Sequence, residues 1–305
     1  MSRDLSWVEP GVFERRPFRE FGMLLPELAF SDWRSPEVRA ANVAAMQTKS
    51  SLCSEVVRNK GGWQFPEKLY TGDPNYITSA PNQCEAVDRY IMRQPMCQSL
   101  AARFAFISGH LLPAYVGRCL KSRPTVRIAS FGSGTGRDVM HAMRWFGDEV
   151  KGDLYDLDRS AFSVGAAIAR QFGLQNRVRF IQADLAALTL TRPTYDIGLM
   201  IGIVCPLSDR LARRVIRAVT RTLKPGGLLV VSSSSERMEA GDVLCRFLIE
   251  YTAGWFLEFR DDRRMRGLLP RTMEIVESTA EPSGFNRLAV GRISSKATAT
   301  REHQQ

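Results

Sequence analysis

The feature that most constrains the fold is a run of three glycines at alternate positions directly after an apolar segment. Residues 126–131 are mostly apolar and rich in β-formers, as in a buried strand, and Gly132, Gly134 and Gly136 follow at once. From Arg137 onward the pattern is helical. A strand that turns through glycines into a helix presents backbone N–H groups and the positive end of the helix dipole, and the missing Cβ atoms let a ligand approach closely. This stretch predicts a nucleotide-type cradle.

Composition and charge set the limits within which that cradle is interpreted. The 305 residues suffice for one large domain or a domain with an extension, and a hydrophobic content of 44% is that of an ordinary globular core. The formal net charge of +10 favours acidic partners, and nucleic acid is one of them. The excess is spread along the chain without a long Lys/Arg run, so we interpret it as a basic but unspecialised surface.

Cysteine, histidine and apolar spacing indicate neither a metal site nor a membrane span. The six cysteines include no CxxC pair, and the three histidines complete no familiar zinc spacing. The first residues lack the apolar core of a secretory signal, and no apolar run approaches the roughly 20 residues that cross a bilayer. We therefore expect a cytoplasmic protein without a metal, a structural disulfide or a membrane segment.

The first 120 residues predict an all-helical cap. After an irregular start, Ser35 and Pro36 begin a helix that runs to Gly61 and Gly62. Residues 63–83 mix aromatic residues with prolines, which predicts a loop held by its own side chains and able to act as a lid. Helices resume from residue 83, and the last of them, up to about residue 120, is long, apolar and interrupted near Pro113.

Strands and helices alternate beyond the glycine run. Further strands are predicted at 153–158, 177–184, 195–204 and 228–233, and a closing antiparallel pair at 273–279 and 285–293. This alternation predicts an α/β fold with a mostly parallel, doubly wound sheet over residues 121–293, and a ligand at the carboxyl ends of its strands. Residues 294–305 are small and polar and are predicted to form a disordered tail.

Three residues bear on which ligand the cradle holds. Arg137 stands where a dinucleotide fingerprint would place its third glycine, and a GxxxxGK[ST] phosphate loop is absent. Asp156 lies 20 residues after Gly136 at the end of the second strand, where a carboxylate can accept both hydroxyls of a ribose. Asp158 is the alternative for that role, although its place before a helix favours an N-cap. Asp184 ends the third strand and could meet an exocyclic amine or cap a turn.

In order and spacing, these elements resemble the class I S-adenosylmethionine-dependent methyltransferases. The resemblance rests on FGSGTG, YDLD, QADL, YDIGLMIGIV and LKPGGLLVVS, covers about residues 125–235, and extends weakly to 293. It implies a Rossmann-like seven-stranded, mostly parallel sheet with helices on both faces, and S-adenosyl-L-methionine as the cofactor. The cofactor-binding residues that it implies are Gly132, Ser133, Gly134, Gly136, Asp156, Leu157, Asp184, Leu185 and Gly202. Ser130 departs from the family pattern, which has an acidic residue there.

The chemistry that the resemblance implies needs alignment more than acid–base catalysis. A sulfonium is already an activated electrophile, so the protein must align a nucleophile in line with the methyl group and exclude water. Candidates for a general base are His110, Tyr70 and Tyr76, although a core role for His110 and packing roles for the tyrosines are preferred. The residues from Gly202 to Cys205 would lie near the methyl group. No essential base is assigned, and no metal is invoked.

Three functions from different classes remain open. The leading hypothesis is an enzyme that methylates a small molecule in a pocket closed by the helical cap. The second is an RNA or protein methyltransferase, which basicity favours but for which no RNA-binding motif is present. The third is a protein that uses the same fold and cofactor for another reaction. A nicotinamide dehydrogenase is disfavoured by Arg137, and the acceptor and oligomeric state are not indicated by any motif.

Overall fold

A computed structural model describes residues 5–9, 11–77, 85–188 and 192–294. Its helices are α1 (Arg16–Leu24), α2 (Pro36–Lys49), α3 (Ser51–Asn59), α4 (Gln64–Thr71), α5 (Glu85–Met92), α6 (Pro95–Phe106), α7 (Leu112–Leu120), α8 (Arg137–Met143), α9 (Ala161–Gln171), α10 (Asp209–Thr220), α11 (Glu236–Gly241), α12 (Val243–Ala253) and α13 (Asp262–Arg266). The strands are β1 (Val126–Phe131), β2 (Val150–Asp156), β3 (Val178–Gln182), β4 (Tyr195–Met200), β5 (Leu223–Ser234), β6 (Met273–Ala280) and β7 (Asn286–Ile293).

The chain divides into two compact units. A helical unit comprises Met1–Ala101 with Arg237–Phe256, and a sheet unit comprises Ala102–Glu236 with Leu257–Gln305. This division differs from the predicted boundary near residue 120. Residues 102–120 belong to the sheet unit because Leu112 and Tyr115 lie in the same hydrophobic core as β1. Residues 237–256 join the helical unit, where Phe247 packs against rings from the first 33 residues.

The sheet unit contains a seven-stranded sheet with the order β3-β2-β1-β4-β5-β7-β6. Strands β1 to β5 run parallel, while β7 runs antiparallel to both β5 and β6. Separate hydrophobic cores pack against the sheet, one including α7, α8 and α9 and the other including α10 and α13. The predicted α/β, mostly parallel fold is confirmed. Chain order reverses between β1 and β4, and such a switch point leaves a crevice at the carboxyl ends of the strands.

The N-terminal helices differ in detail from the prediction. The helix expected from Pro36 to Gly61 is two helices, because Ser50 adopts an extended backbone and its hydroxyl accepts a hydrogen bond from the N–H of Cys53. The prediction of a loop is wrong for residues 64–71, which form α4. That helix ends at Gly72, whose φ of 73° is a left-handed cap. Residues 78–83 of the predicted lid and residues 295–305 of the predicted tail lie outside the described residues.

The long apolar helix before the sheet contains a π-helical turn. Residues Ile107–Leu111 form this turn between α6 and α7, and Leu112 donates to the carbonyl of Ile107, five residues back. Pro113 follows immediately and has no N–H to donate to a preceding carbonyl. The interruption predicted near Pro113 therefore takes the form of a widened turn.

The interior of the helical unit holds a buried polar network. Asp88 is buried between α3 and α5, and it accepts hydrogen bonds from the Ser50 hydroxyl at 2.5 Å and the Ser51 N–H at 2.9 Å. The buried Lys68 amine donates to the Ser51 hydroxyl. Burial lowers the pKa of Lys68 and raises that of Asp88, and the charge of each group partly opposes the shift in the pKa of the other. The network ties α3, α4 and α5 together.

A second feature of the helical unit is an apolar cavity rich in sulfur. Its lining includes Cys53, Cys97 and Cys245, from α3, α6 and α12, among aliphatic side chains and Phe65. Burial raises the pKa of the Cys53 thiol to about 12, which keeps it neutral. These thiols therefore act as small apolar groups.

Neither a membrane-spanning helix nor a metal-binding cluster occurs in the described part of the chain. No helix within it has both the length and the apolar character needed to cross a membrane. Nor does it contain a group of three or more His, Cys, Asp or Glu side chains placed to hold a metal ion.

Candidate cofactor site

The glycine loop, residues 132–136, is shaped for close approach of a ligand to the main chain. Gly132, Gly134 and Gly136 have φ angles of 72°, 54° and 73°, in the left-handed region. A Cβ on Gly132 would stand 2.3 Å from Cγ2 of Ile203, and one on Gly136 would stand 2.4 Å from Cδ1 of Leu154. Both positions therefore require glycine for conformation and for space.

Hydrogen bonds from its backbone fasten the glycine loop to the end of β2. The N–H groups of Gly132 and Ser133 both donate to the carbonyl of Tyr155, at 2.8 and 2.9 Å. The N–H of Gly134 donates to Oδ2 of Asp156 at 2.6 Å. The loop and the strand end thus form one preorganised unit.

Asp156 stands at the carboxyl end of β2, as predicted, and is half-buried. Its Oδ1 accepts from the N–H of Asp158 at 2.9 Å, while Oδ2 is bonded to the loop. A carboxylate has about four lone-pair sites, so acceptor capacity remains for a diol. Asp158 does not cap α9 directly: its carboxylate accepts from the N–H of Ser160 at 2.9 Å, within the preceding turn. Leu157 between them is 65% exposed and presents an apolar surface beside the carboxylate.

Asp184 lies just beyond β3, at the same edge of the sheet. Its Oδ1 accepts from the N–H of Ala186 at 2.8 Å and so caps a 3₁₀ turn, Leu185–Ala187. The N–H of Ala183 donates to the carbonyl of Asp156 at 2.9 Å, which joins the two strand ends. The cap is therefore present, and because Asp184 is exposed, its carboxylate is also open to a ligand. Its predicted contact with an adenine amine stays a prediction.

Gly202 follows β4. The side chains that surround it were not predicted from the sequence. The φ of Gly202 is 78°, and its N–H donates to the hydroxyl of the buried Ser232 at 3.0 Å. Nη2 of Arg103 lies 3.2 Å from the position that a Cβ on Gly202 would occupy. Arg103 is only 4% exposed, and its Nη1 donates to Oδ1 of Asn286 at 3.2 Å. Arg103 stands in an apolar helix without a motif, so only its charge in that setting could have drawn attention to it.

The candidate bases are dispersed. His110 lies on the π-helical turn and is exposed, so the expectation of a core histidine is wrong. His141, on α8, is not among these candidates: its ring packs at 5.4 Å from the ring of Phe104, and burial lowers its pKa. Tyr70 and Tyr76 are half-buried residues of the helical unit. Their catalytic candidacy stays a prediction.

Ser130 is buried at 2% exposure within β1, between Leu154 of β2 and Leu199 of β4. The carboxylate buried in this part of the sheet is instead that of Asp153, which accepts from Arg127, Arg179 and Tyr195. Burial raises the pKa of Asp153, but these hydrogen bonds and positive charges outweigh it and leave the pKa below its usual value. That carboxylate is occupied within the sheet and does not replace the acidic residue missing at position 130.

Comparisons with known proteins agree with this geometry. Residues 128–227 match the family model described as a methyltransferase domain. Over 118 residues the chain is 30% identical to the ubiquinone/menaquinone biosynthesis C-methyltransferase UbiE of Vibrio parahaemolyticus. The aligned region is 39% of this chain and 45% of that protein. The UbiE protein of a Shewanella species is 30% identical over 115 residues, or 38% of this chain and 45% of that protein. The chain thus spans less than half the length of these relatives.

A solved structure extends the similarity over both units. The match is with a possible exported protein from Bordetella parapertussis. It covers 94% of this chain and 99% of that chain, with a TM-score of 0.63 and 17% sequence identity. At that identity the match concerns the fold alone. The family resemblance and the fold predicted from the sequence are confirmed by the family model and the sheet order.

Proposed function

We propose that this protein, whose sheet unit carries a class I S-adenosylmethionine-dependent methyltransferase domain, transfers a methyl group from S-adenosyl-L-methionine to a small-molecule acceptor. One observation carries the proposal: the Gly134 N–H bonds to Asp156 Oδ2 at 2.6 Å, at the edge where the sheet order reverses. That contact joins the glycine loop to Asp156, the carboxylate that is expected to bind the ribose hydroxyls of the cofactor.

The residues present fit an adenosyl sulfonium better than a dinucleotide. The glycine loop leaves room at the main chain, Asp156 offers acceptors for two hydroxyls, and Leu157 offers an apolar surface for a ring. Arg137, at the start of α8, replaces the glycine that a dinucleotide fingerprint places there. The cofactor, when bound, supplies an activated methyl group.

The contribution of this chain to the reaction is binding and alignment. The loop and Asp156 would fix the adenosyl part, and Gly202, held by Ser232, would set the wall beside the methyl group. Holding the reactants in line accounts for a large part of the barrier reduction in such reactions. The pocket closed by the helical cap remains a prediction, as do the cytoplasmic location and the acceptor atom.

A second candidate function is favoured by one surface. Arg210, Arg214, Arg217 and Arg221 are exposed and spaced at i, i+4, i+7 and i+11 along α10 and its C-terminal cap. Among the described residues, no carboxylate forms an ion pair with these four side chains. Such a stripe suits an anionic macromolecular acceptor, such as RNA. The small-molecule function is preferred because α10 exposes no large aromatic side chain on which a base could stack.

Calorimetry with S-adenosylhomocysteine tests the cofactor assignment. Asp156→Ala should weaken binding on the order of 10- to 100-fold, since it removes one or two charge-assisted hydrogen bonds. Asp156→Asn should lose less, because it retains one acceptor for the Gly134 N–H. Asp158→Ala is the matched control and should leave affinity within about 2-fold. If folded Asp156→Ala bound as tightly as the wild type, the ribose assignment would be wrong.

A methylation assay separates the two functions. Transfer to small acceptors should survive removal of the α10 arginines by substitution with glutamine. If the acceptor were a polyanion such as RNA, its affinity would fall with rising salt concentration. That fall would be less steep in the protein without the α10 arginines.

A further inference from the structure

A fully buried arginine, Arg260, supports the post-β4 segment, which comprises residues 201–207. Its Nη1 donates to the carbonyl of Val204 at 3.0 Å and to the hydroxyl of Ser233 at 2.7 Å. Its Nη2 donates to the carbonyl of Leu207. Since Ser233 is the last residue of β5 but one, a single guanidinium ties the post-β4 segment to the end of that strand at two points.

The backbone near Arg260 reinforces this connection. The N–H of Arg260 donates to the carbonyl of Ser234, the last residue of β5, at 2.9 Å. The N–H of Glu258, two residues earlier, donates to the carbonyl of Cys205 at 2.7 Å. This short stretch therefore bonds both to β5 and to the post-β4 segment, and the backbone of that segment is held at three of its carbonyls.

The charges around Arg260 balance one another. Its Nε donates to Oδ1 of Asp209 at 2.9 Å, and Arg264 bonds to the same oxygen at 3.0 Å and to Glu258 at 3.1 Å. Burial raises the pKa of Asp209, but the hydrogen bonds and charges of Arg264 and Arg260 outweigh it and leave the pKa below its usual value. Two arginines thus face two carboxylates. An uncompensated positive charge would repel a sulfonium in a water-poor site, and this balance removes that repulsion.

The post-β4 segment also touches the glycine loop. Cγ2 of Ile203 lies 2.3 Å from the position that a Cβ on Gly132 would occupy, so the two loops are in direct contact. Gly202 is fastened in turn to the hydroxyl of Ser232. Methyl transfer depends on alignment, and a displacement on the order of 1 Å can lower its rate strongly. Whatever fixes this backbone therefore bears on the reaction.

We propose that Arg260 is the positioning residue for the wall beside the transferred methyl group, and this inference rests on the proposed function. Arg260 is buried and acts through the post-β4 backbone, without touching a ligand. Its planar guanidinium directs several N–H donors at fixed angles, so one side chain can hold carbonyls at two places in the segment. A lysine ammonium keeps the charge but lacks that geometry.

Hydrogen–deuterium exchange tests whether Arg260 fixes the segment. In Arg260→Lys the carbonyls of Val204 and Leu207 lose charge-assisted hydrogen bonds. Amides in peptides that cover the post-β4 segment should therefore exchange about 10-fold faster or more. Amides of the glycine loop, which is fastened to β2, should exchange at the wild-type rate.

Arg264→Lys is the matched control for this measurement. Arg264 shares the carboxylate of Asp209 with Arg260, but its bond to a backbone carbonyl goes to Phe259, outside the post-β4 segment. Exchange in the post-β4 segment should therefore stay within about 2-fold of the wild type in this variant. The comparison separates the contacts with the segment from the ion pair.

Calorimetry with two related ligands tests whether the segment lies beside the methyl group. S-adenosylmethionine and S-adenosylhomocysteine differ only in the methyl group and the charge that it brings to sulfur. Arg260→Lys should weaken S-adenosylmethionine about 3- to 5-fold more than S-adenosylhomocysteine, which corresponds to the burial of roughly one methyl group. A purely structural role would weaken both ligands equally. Arg264→Lys should leave the ratio of the two affinities unchanged.

The outcomes separate this inference from the proposed function. Thermal melting identifies variants that fold, and Ser233→Ala, which removes one acceptor of the guanidinium, serves if Arg260→Lys does not. If wild-type protein bound neither ligand, the proposed function would fail, and this inference with it. If it bound both, an unchanged affinity ratio in the Arg260 variant would overturn the assignment, whether or not exchange in the segment became faster. Unchanged exchange would overturn it as well.

Discussion

The two units place their polar groups in opposite ways. In the sheet unit, Asp156 and the amide of Gly134 stand at strand ends, where a ligand can reach them. In the helical unit, Asp88 and Lys68 are buried between helices and are satisfied by side chains and main chain of the same unit. Under the proposed function, the polar groups at strand ends serve binding, whereas those between helices serve folding. Substitutions in the two units should therefore fail in different assays.

The largest effect is expected from Asp88→Ala. This change leaves the Ser50 hydroxyl and the Ser51 N–H buried without their acceptor, which should lower the free energy of unfolding by roughly 2–5 kcal/mol. Glu85→Ala on the same helix removes an exposed ion pair with Arg89 and should lower it by less than about 1 kcal/mol. Urea denaturation measures both. Equal losses in the two variants would contradict the structural role of the buried network.

Gly136→Ala should have an effect of similar size, and it acts on the binding region. A left-handed alanine costs roughly 1–2 kcal/mol, and displacement of Leu154 should add about 1–3 kcal/mol. Gly173→Ala is the matched control, since φ is 68° there and a Cβ would meet nothing within 4 Å. The loss of stability in Gly173→Ala therefore measures the cost of backbone strain alone. Gly136→Ala should also weaken binding of S-adenosylhomocysteine, and unchanged binding would show that the loop tolerates a side chain.

Acid should affect the two units in opposite directions. The folded pKa of Asp153 lies below the usual 3.8 despite burial, because Arg179, Tyr195 and Arg127 favour its charged form. Its stabilisation is present above pH 3.8 and is lost as pH falls through the folded pKa. Burial raises the folded pKa values of Asp88 and Asp242, so their contributions improve as pH falls from neutral towards 3.8.

Tryptophan fluorescence can follow this difference. Trp7, Trp33, Trp63 and Trp255 lie in the helical unit and Trp145 in the sheet unit. Fluorescence of Trp145→Phe then reports the helical unit alone, and circular dichroism reports both units. The Asp153→Asn variant should lose the part of the sheet unit's acid sensitivity that Asp153 contributes. An identical pH dependence with and without Asp153 would contradict this assignment.

The smallest effect is expected from Asp184→Ser, which separates the two roles of that residue. Serine is also a good N-cap, so the cap of the 3₁₀ turn and the stability should change by only a few tenths of a kcal/mol. A contact with an adenine amine would be lost with the carboxylate, and affinity for S-adenosylhomocysteine should fall about 3- to 10-fold. Unchanged affinity would leave only the capping role.

The sequence predicted the backbone geometry of the candidate site, while the binding roles of its residues stay predictions. Gly132, Gly134, Gly136 and Asp156 were found because glycine spacing and strand ends leave a local pattern. Arg103 left none, because the contact with Gly202 joins residues about 100 positions apart. The helix at residues 64–71 was missed because Pro66 in its first turn was taken as a loop signal, although proline is tolerated there.

The bond between Gly134 and Asp156 also has a consequence for rates. Because Asp156 holds the loop in shape, an incoming ligand does not have to order it. Association should then proceed in a single step whose rate changes little among variants of the ligand, and differences in affinity should appear in residence time. A loop that needed ordering would instead show a slow phase independent of ligand concentration. The site would release weak ligands quickly and admit all of them at similar speed.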